Sequence, residues 1–133
     1  MTDGADVTNV AWHDWGEAAF DIATRSGKPV LLALVVPWAE ECREMDRTTY
    51  ADPRIAANIN DGFVPIRVDA DRRPRIRERY NMGGFPSTVF LTPEGEILTG
   101  ATLLGIDGLP DVLDSVRKRW DSRGTDGGSV PRA

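Results

Sequence analysis

The stretch VLLALVVPWAEEC, residues 30–42, joins an apolar run to a charged run across one proline. The seven consecutive apolar residues from Val30 to Val36 predict a central β-strand that is covered on both faces. Glu40 and Glu41 are typical of the first turn of a helix, where the helix dipole favours negative charge. The stretch therefore predicts a buried strand followed at once by a helix that contains Cys42.

Strands and helices alternate along the rest of the chain. The predicted helices begin at Asp14, at Asp52, near Pro74 and at Leu109, and the other predicted strands are Phe63–Ala70 and a hairpin within residues 83–105. Asp14 and Glu17 have the spacing of a capping box, and Asp52 precedes a proline at the first helical position. Alternation of this kind is typical of parallel βαβ units. We expect an α/β fold with a central mixed sheet of four to five strands, helices on both faces, a terminal β-hairpin and a C-terminal helix.

Composition and charge argue against several classes of function. The chain has 133 residues, which suits one domain, and its net charge of −5 argues against nucleic-acid binding. No apolar run is long enough to span a membrane, and residues 1–10 lack the basic and apolar regions of a signal peptide. We therefore expect a cytoplasmic monomer with no membrane or nucleic-acid partner. One histidine and one cysteine, without clustered ligand spacing, predict no metal site and no cofactor.

Domain boundaries follow from the composition of the two ends. Residues 1–8 are polar and are expected to form a flexible N-terminus, and residues 122–133 are rich in Gly, Ser and Asp and are expected to form a flexible tail or linker. The folded domain is then expected to span residues 9–121.

Three stretches resemble proteins of the thioredoxin fold: KPVLLALVVPWAEEC at 28–42, FVPIRVDAD at 63–71 and YNMGGFPSTVFLTPEGEIL at 80–98. The resemblance covers residues 12–120 and implies a thioredoxin-like domain, with a cis-proline at Pro86 facing the redox site. Residues 44–74 are most similar to the thioredoxin-like domain that opens the long spermatogenesis-associated-protein type of chains. That similarity implies that the chain is the front domain of a longer protein.

The resemblance also implies a site. The redox motif of thioredoxins is Trp-Cys-x-x-Cys, and Trp38 and Cys42 match its two ends, while Ala39 stands in the place of the attacking cysteine. A methyl group cannot act as a thiolate, so ordinary disulfide reduction is expected to be absent. The binding surface implied for a peptide or protein partner consists of Trp38, Glu40, Glu41, Phe85 and Pro86, with recognition by strand addition.

Three functions stay open at this point. The chain is a binding or accessory module without dithiol chemistry, or a thiol-dependent oxidoreductase that uses Cys42 alone, or a Cys-x-x-Cys enzyme in which Ala39 is a substitution. Cys42 is accordingly either a reactive thiol or a buried packing residue. If Cys42 is a buried packing residue, burial, together with Glu40 and Glu41, would raise the pKa of its thiol.

Overall fold

The computed structural model describes the backbone of residues 9–129 and the side chains of residues 9–122. The elements in this range are α1 (Glu17–Ser26), β1 (Val30–Val35), α2 (Glu40–Arg47), α3 (Pro53–Gly62), β2 (Val64–Asp69), α4 (Pro74–Tyr80), β3 (Ser87–Leu91), β4 (Ile97–Ala101) and α5 (Gly108–Ser129). Their order agrees with the order predicted from the sequence. The predicted flexible N-terminus, residues 1–8, lies outside the described residues.

The four strands form one mixed sheet in the order β2-β1-β3-β4. β1 pairs with β2 in parallel, and the β1–β3 and β3–β4 pairs are antiparallel. His13 extends the sheet beyond β2: its N–H donates to the carbonyl oxygen of Pro65 at 2.8 Å, and its own carbonyl oxygen accepts the N–H of Arg67 at 3.1 Å. The α/β class with a four-stranded mixed sheet is confirmed.

β1 is buried along its whole length, and its side chains contribute to two apolar clusters. Leu32 and Leu34 pack in the cluster that contains Ala23 of α1. Leu31 packs in the opposite cluster, which contains Ile59 of α3 and residues of α5. Each of these fully buried leucines stabilises the fold by about 1.5–3 kcal/mol relative to an exposed position. The prediction of a strand covered on both faces is therefore confirmed.

The start of α3 follows the predicted pattern. Asp52 is the N-cap residue, and its side chain accepts the N–H groups of Arg54 and Ile55 at 2.8 and 3.2 Å. Pro53 occupies the first helical position, where its missing N–H costs no hydrogen bond.

The predicted capping box at α1 is wrong. The N-cap residue is Gly16, in extended backbone, and no side chain caps this helix. The reason lies in His13, which pairs with the edge of β2, so that Asp14 still lies outside the helix, which begins only at Glu17. A predicted start at Asp14 ignores this pairing, which local sequence does not show.

The last helix is longer than predicted. Its apolar stripe ends near Trp120, but the backbone stays helical to Ser129. Residues 122–129 of the expected tail or linker are thus helical, and residues 130–133 lie outside the described residues.

Candidate functional site

The turn between β1 and α2 carries most of the predicted site. Pro37 and Trp38 form the turn, and Ala39 is the N-cap residue of α2 in extended backbone. The N–H of Cys42, one helical turn later, donates to the Ala39 carbonyl oxygen at 3.1 Å. Because an alanine side chain has no hydrogen-bond acceptor, no side chain caps α2. Ala39 and Cys42 are therefore placed where a helix N-terminus would stabilise a thiolate, but only the second position holds sulfur.

Trp38 belongs to a ring of four side chains, which we call the Trp38 cluster: Trp38, Asp71, Arg77 and Phe85. The indole N–H donates to Oδ2 of Asp71 at 2.8 Å, and Oδ1 of Asp71 lies 3.5 Å from the Arg77 guanidinium. That guanidinium lies 5.3 Å from the centroid of the Phe85 ring, which in turn meets the Trp38 ring edge-on at 6.3 Å. Trp38 is 64% exposed, so the Trp38 cluster, and not the core, fixes the orientation of its side chain.

The loop before β3 lies beside the Trp38 cluster. The Phe85–Pro86 peptide bond is cis, and Pro86 is buried while Phe85 is partly exposed. The Ser87 hydroxyl fixes the loop by donating to the carbonyl oxygen of Gly84 at 2.6 Å and accepting the N–H of Met82 at 3.0 Å. Neither backbone group of Phe85 makes a hydrogen bond within the described part of the chain. The loop thus offers an unpaired N–H and C=O next to an exposed aromatic surface.

Cys42 is only 3% exposed. Burial raises the pKa of its thiol above the usual value, and the carboxylates of Asp46 and Glu41 act in the same direction. The N–H of Val36, which bonds to the sulfur, and the guanidinium of Arg67 lower the pKa but do not outweigh burial. The protein therefore holds Cys42 in the neutral, poorly nucleophilic form.

Glu40 and Glu41 both lie on the exposed first turn of α2 but differ in their surroundings. The carboxylate of Glu40 accepts hydrogen bonds from Arg47 at 3.1 Å and Arg43 at 2.6 Å, and these bonds lower its pKa. Of these two acids, Glu41 is among the groups that raise the pKa of Cys42, as expected from the sequence. Glu41 makes no side-chain hydrogen bond or ion pair within residues 9–122.

A groove that the sequence did not predict lies between the β1–α2 turn, β2 and the segment before α1. It has a volume of about 740 Å³, and four of its lining residues are arginines. We call it the arginine groove and define it by Pro37, Cys42, Asp46, Arg67, Arg72 and Arg73. Asp46 and Arg67 pair within it through two hydrogen bonds of 2.9 and 2.7 Å. Its volume falls in the usual range for ligand sites, about 300–1,000 Å³.

Tyr50 lies buried beneath this part of the molecule, with its ring edge-on to Trp12 at 5.0 Å. Its hydroxyl makes no hydrogen bond of normal geometry within the described residues, although the Thr88 side chain is near enough to lower its pKa. Burial dominates and raises the pKa of Tyr50 far above its ordinary value. A buried hydroxyl without a partner carries an uncompensated cost of desolvation.

Among the described side chains, those of residues 9–122, no three His, Cys, Asp or Glu are grouped so that they could hold a metal ion. Over the same range, each helix is too short or too polar to cross a membrane.

A central strand that runs into a helix, with an exposed tryptophan and a cis-proline loop at their junction, defines a protein of the thioredoxin-like class. The chain belongs to the Thioredox_DsbH family, described as "Protein of unknown function, DUF255", whose model matches residues 4–127. The resemblance expected from the sequence is thereby confirmed at the level of the family.

Comparison with known proteins agrees with this assignment. The chain is 30% identical over 129 residues to uncharacterized protein B0495.5 of Caenorhabditis elegans, covering 86% of this chain and 18% of that protein. It is 28% identical over 125 residues to human spermatogenesis-associated protein 20, covering 84% of this chain and 16% of that protein. The chain thus spans less than a fifth of the length of the curated relatives it matches.

The solved structure of a DsbH oxidoreductase superimposes with a TM-score of 0.73 at 18% identity, covering 83% of this chain and 85% of that one. At this identity the likeness shows the shared fold. The single cysteine of the present chain leaves no second thiol for an intramolecular dithiol site.

Proposed function

We propose that this chain is a thioredoxin-fold binding module that has lost dithiol chemistry and holds an extended segment of a partner protein against Trp38, Phe85 and Pro86. One observation carries the proposal: Trp38 is 64% exposed, yet its indole is fixed by a hydrogen bond to Asp71 and by the ring of Phe85. An ordered, exposed aromatic is the kind of anchor on which interfaces depend.

Backbone groups support the same proposal. The free N–H and C=O of Phe85 can pair with an extended segment, as in strand addition. Trp38 then packs against the side chains of that segment, and Glu41, the unpaired acid on the first turn of α2, borders it. The relatives are several times longer than this chain, which suits a module that serves a larger protein.

Loss of dithiol chemistry is inferred from the position of Ala39. It occupies the N-cap of α2, one turn before Cys42, which is the place the attacking cysteine takes in the Trp-Cys-x-x-Cys motif. The remaining thiol is buried, with a raised pKa. We further propose that the module works in the cytoplasm as a monomer, since a lone buried thiol needs no oxidising compartment.

A selection from a random dodecapeptide library on the immobilised protein tests the binding proposal. Selected peptides are expected to lose at least about tenfold in affinity on Trp38→Ala, which corresponds to the roughly 1.4 kcal/mol or more of an interface anchor. Ile97→Ala is the matched control, because Ile97 is 47% exposed and lies on β4, opposite Leu91. Absence of any enriched peptide, or equal binding by Trp38→Ala and the wild type, would reject the proposal.

A second function is favoured by one specific contact. Cys42 is among the residues that line the arginine groove, so a small ligand in that groove would lie close to this residue. A thiol-dependent enzyme with Cys42 as its sole thiol would therefore take its substrate from the groove and not from the Trp38 surface. Rapid reaction of native Cys42 with a neutral thiol reagent would favour this alternative, and protection of Cys42 until the chain unfolds would count against it.

A further inference from the structure

We propose that the arginine groove is a second subsite of the peptide-binding surface and selects partner segments that carry acidic side chains next to the part held at Trp38. This inference rests on the proposed function, because it names the chemistry of the segment that the Trp38 surface would bind.

The two surfaces share a border. Pro37 and Arg72 line the groove, while their chain neighbours Trp38 and Asp71 are bonded to each other in the Trp38 cluster. An extended chain advances about 3.3 Å per residue, so a segment that crosses Trp38 reaches the groove within a few residues. This continuity favours a peptide over an isolated small anion as the occupant.

Two arginines of the groove form no ion pair within residues 9–122. Arg72 makes no side-chain hydrogen bond or ion pair within residues 9–122, and Arg73 makes only a 3.5 Å contact with the carbonyl oxygen of Trp15. The other two lining arginines are already paired: Arg67 with Asp46, and Arg43 with Glu40.

Three aspartates line the groove, and one of them forms an ion pair within it. Asp46 is bonded to Arg67 through both oxygens, and Asp69 accepts the N–H of Asp71 at 3.0 Å. Asp14, on the opposite wall, offsets one positive charge. With four arginines and three aspartates, the lining of the groove carries one net positive charge, although the chain as a whole carries −5. Carboxylates match this arrangement, because guanidinium groups bind them through paired hydrogen bonds.

Three labelled decapeptides with the same valine-rich centre and flanks of Glu, Gln or Lys provide the probe. Fluorescence anisotropy is expected to show the Glu-flanked peptide binding about three- to tenfold more tightly than the Gln-flanked one at low salt. The difference should shrink at high salt, because exposed charges are screened. Arg72→Gln should weaken the binding of the Glu-flanked peptide about threefold and leave the binding of the other two peptides unchanged. Arg72→Lys should retain part of the affinity that Arg72→Gln loses.

Arg54→Gln is the matched control, since it removes one exposed arginine charge at the start of α3, away from the groove. Equal binding of the Glu- and Gln-flanked peptides, or no effect of Arg72→Gln, overturns the inference. If Trp38→Ala still weakens the binding of all three peptides, the proposed function stands without the inference about the groove. If no peptide binds, both fail. If inorganic phosphate occupies the groove and does not compete with the peptides, the groove is a separate anion site and the inference is wrong.

Discussion

The indole N–H of Trp38 donates to Oδ2 of Asp71 at 2.8 Å, across 33 positions of sequence. This bond joins the β1–α2 turn to the segment between β2 and α4. It places the exposed indole beside Phe85, and Asp71 in turn faces Arg77. A tryptophan with most of its surface in solvent would otherwise adopt several side-chain orientations.

The first prediction concerns that bond. Asp71→Ala should leave the indole of Trp38 more mobile, because it removes the only hydrogen-bond acceptor that the described residues give this N–H. The free energy of unfolding should fall by about 1 kcal/mol or less, as expected for one partly exposed hydrogen bond. Relaxation of the ¹⁵N-labelled indole N–H measures the mobility, and urea unfolding measures the stability.

Two variants control the experiment. Asp71→Asn keeps an acceptor oxygen and should preserve the order of the indole, while it weakens the contact with Arg77. Asp107→Ala removes an exposed carboxylate elsewhere and should change neither quantity. An indole that stays equally ordered in Asp71→Ala would show that packing against Phe85 alone holds it.

The second prediction compares two buried tyrosines. The hydroxyl of Tyr80 donates to the carbonyl oxygen of Gly95 at 2.6 Å, whereas the hydroxyl of Tyr50 has no partner of normal geometry within the described residues. Tyr80→Phe should therefore destabilise the fold by about 0.5–1.5 kcal/mol. Tyr50→Phe should be neutral or stabilising by up to about 1 kcal/mol, because it removes an uncompensated buried polar group.

Urea unfolding at neutral pH measures both changes in the free energy of unfolding, and each variant serves as the control for the other. Equal destabilisation by the two substitutions would mean that the Tyr50 hydroxyl has a hydrogen-bond partner after all, with Thr88 as the first candidate.

The third prediction concerns Cys42 and pH. Burial raises the pKa of its thiol in the folded state above the ordinary value of 9.0. Below the unfolded pKa both states hold the proton, and the contribution to stability is complete. As pH rises past about 9, the unfolded chain loses the proton first, so stability falls until the folded pKa is reached. The wild type should thus lose stability more steeply than Cys42→Ala at alkaline pH.

Unfolding curves of the two proteins from neutral to alkaline pH measure this difference. Tyr50 and Tyr80 also have raised pKa values, but they are present in both proteins and cancel in the comparison. A thiol reagent should react with native Cys42 much more slowly than with the denatured chain. Parallel stability curves and a fast native reaction would together mean an exposed thiolate, in favour of the single-thiol enzyme.

The sequence was sufficient to predict those elements whose signals lie within a few neighbouring residues. The unbroken apolar run of β1 predicts burial on both faces, since a half-exposed strand would alternate. Asp52 and Pro53 predict the start of α3 because the cap is made by neighbouring backbone groups. The turn with Trp38, Ala39 and Cys42 was likewise recognisable as one segment.

The rest of the site depends on contacts between distant residues. Asp46 and Arg67 are 21 positions apart, and nothing in either segment distinguishes this pair from solvated surface charges. The arginines after β2 have the pattern of an exposed helix face, and only the fold shows that Arg72 and Arg73 border a groove. The prediction of the start of α1 was wrong for the same reason, because it depends on the tertiary pairing of His13 with β2.

The last prediction tests whether position 39 can hold an attacking thiol, as the proposed loss of dithiol chemistry implies. Ala39→Cys should form an intramolecular disulfide with Cys42 under mild oxidation, since the two residues are one helical turn apart at the start of α2. The new thiol at the N-cap should have a lowered pKa and attack disulfides. Dithiothreitol-dependent reduction of insulin, undetectable in the wild type, should then appear. Ala39→Ser is the control, because it adds a capping hydroxyl without a thiol. An oxidised but inactive Ala39→Cys would mean that a second thiol alone is not sufficient for disulfide reduction at this site.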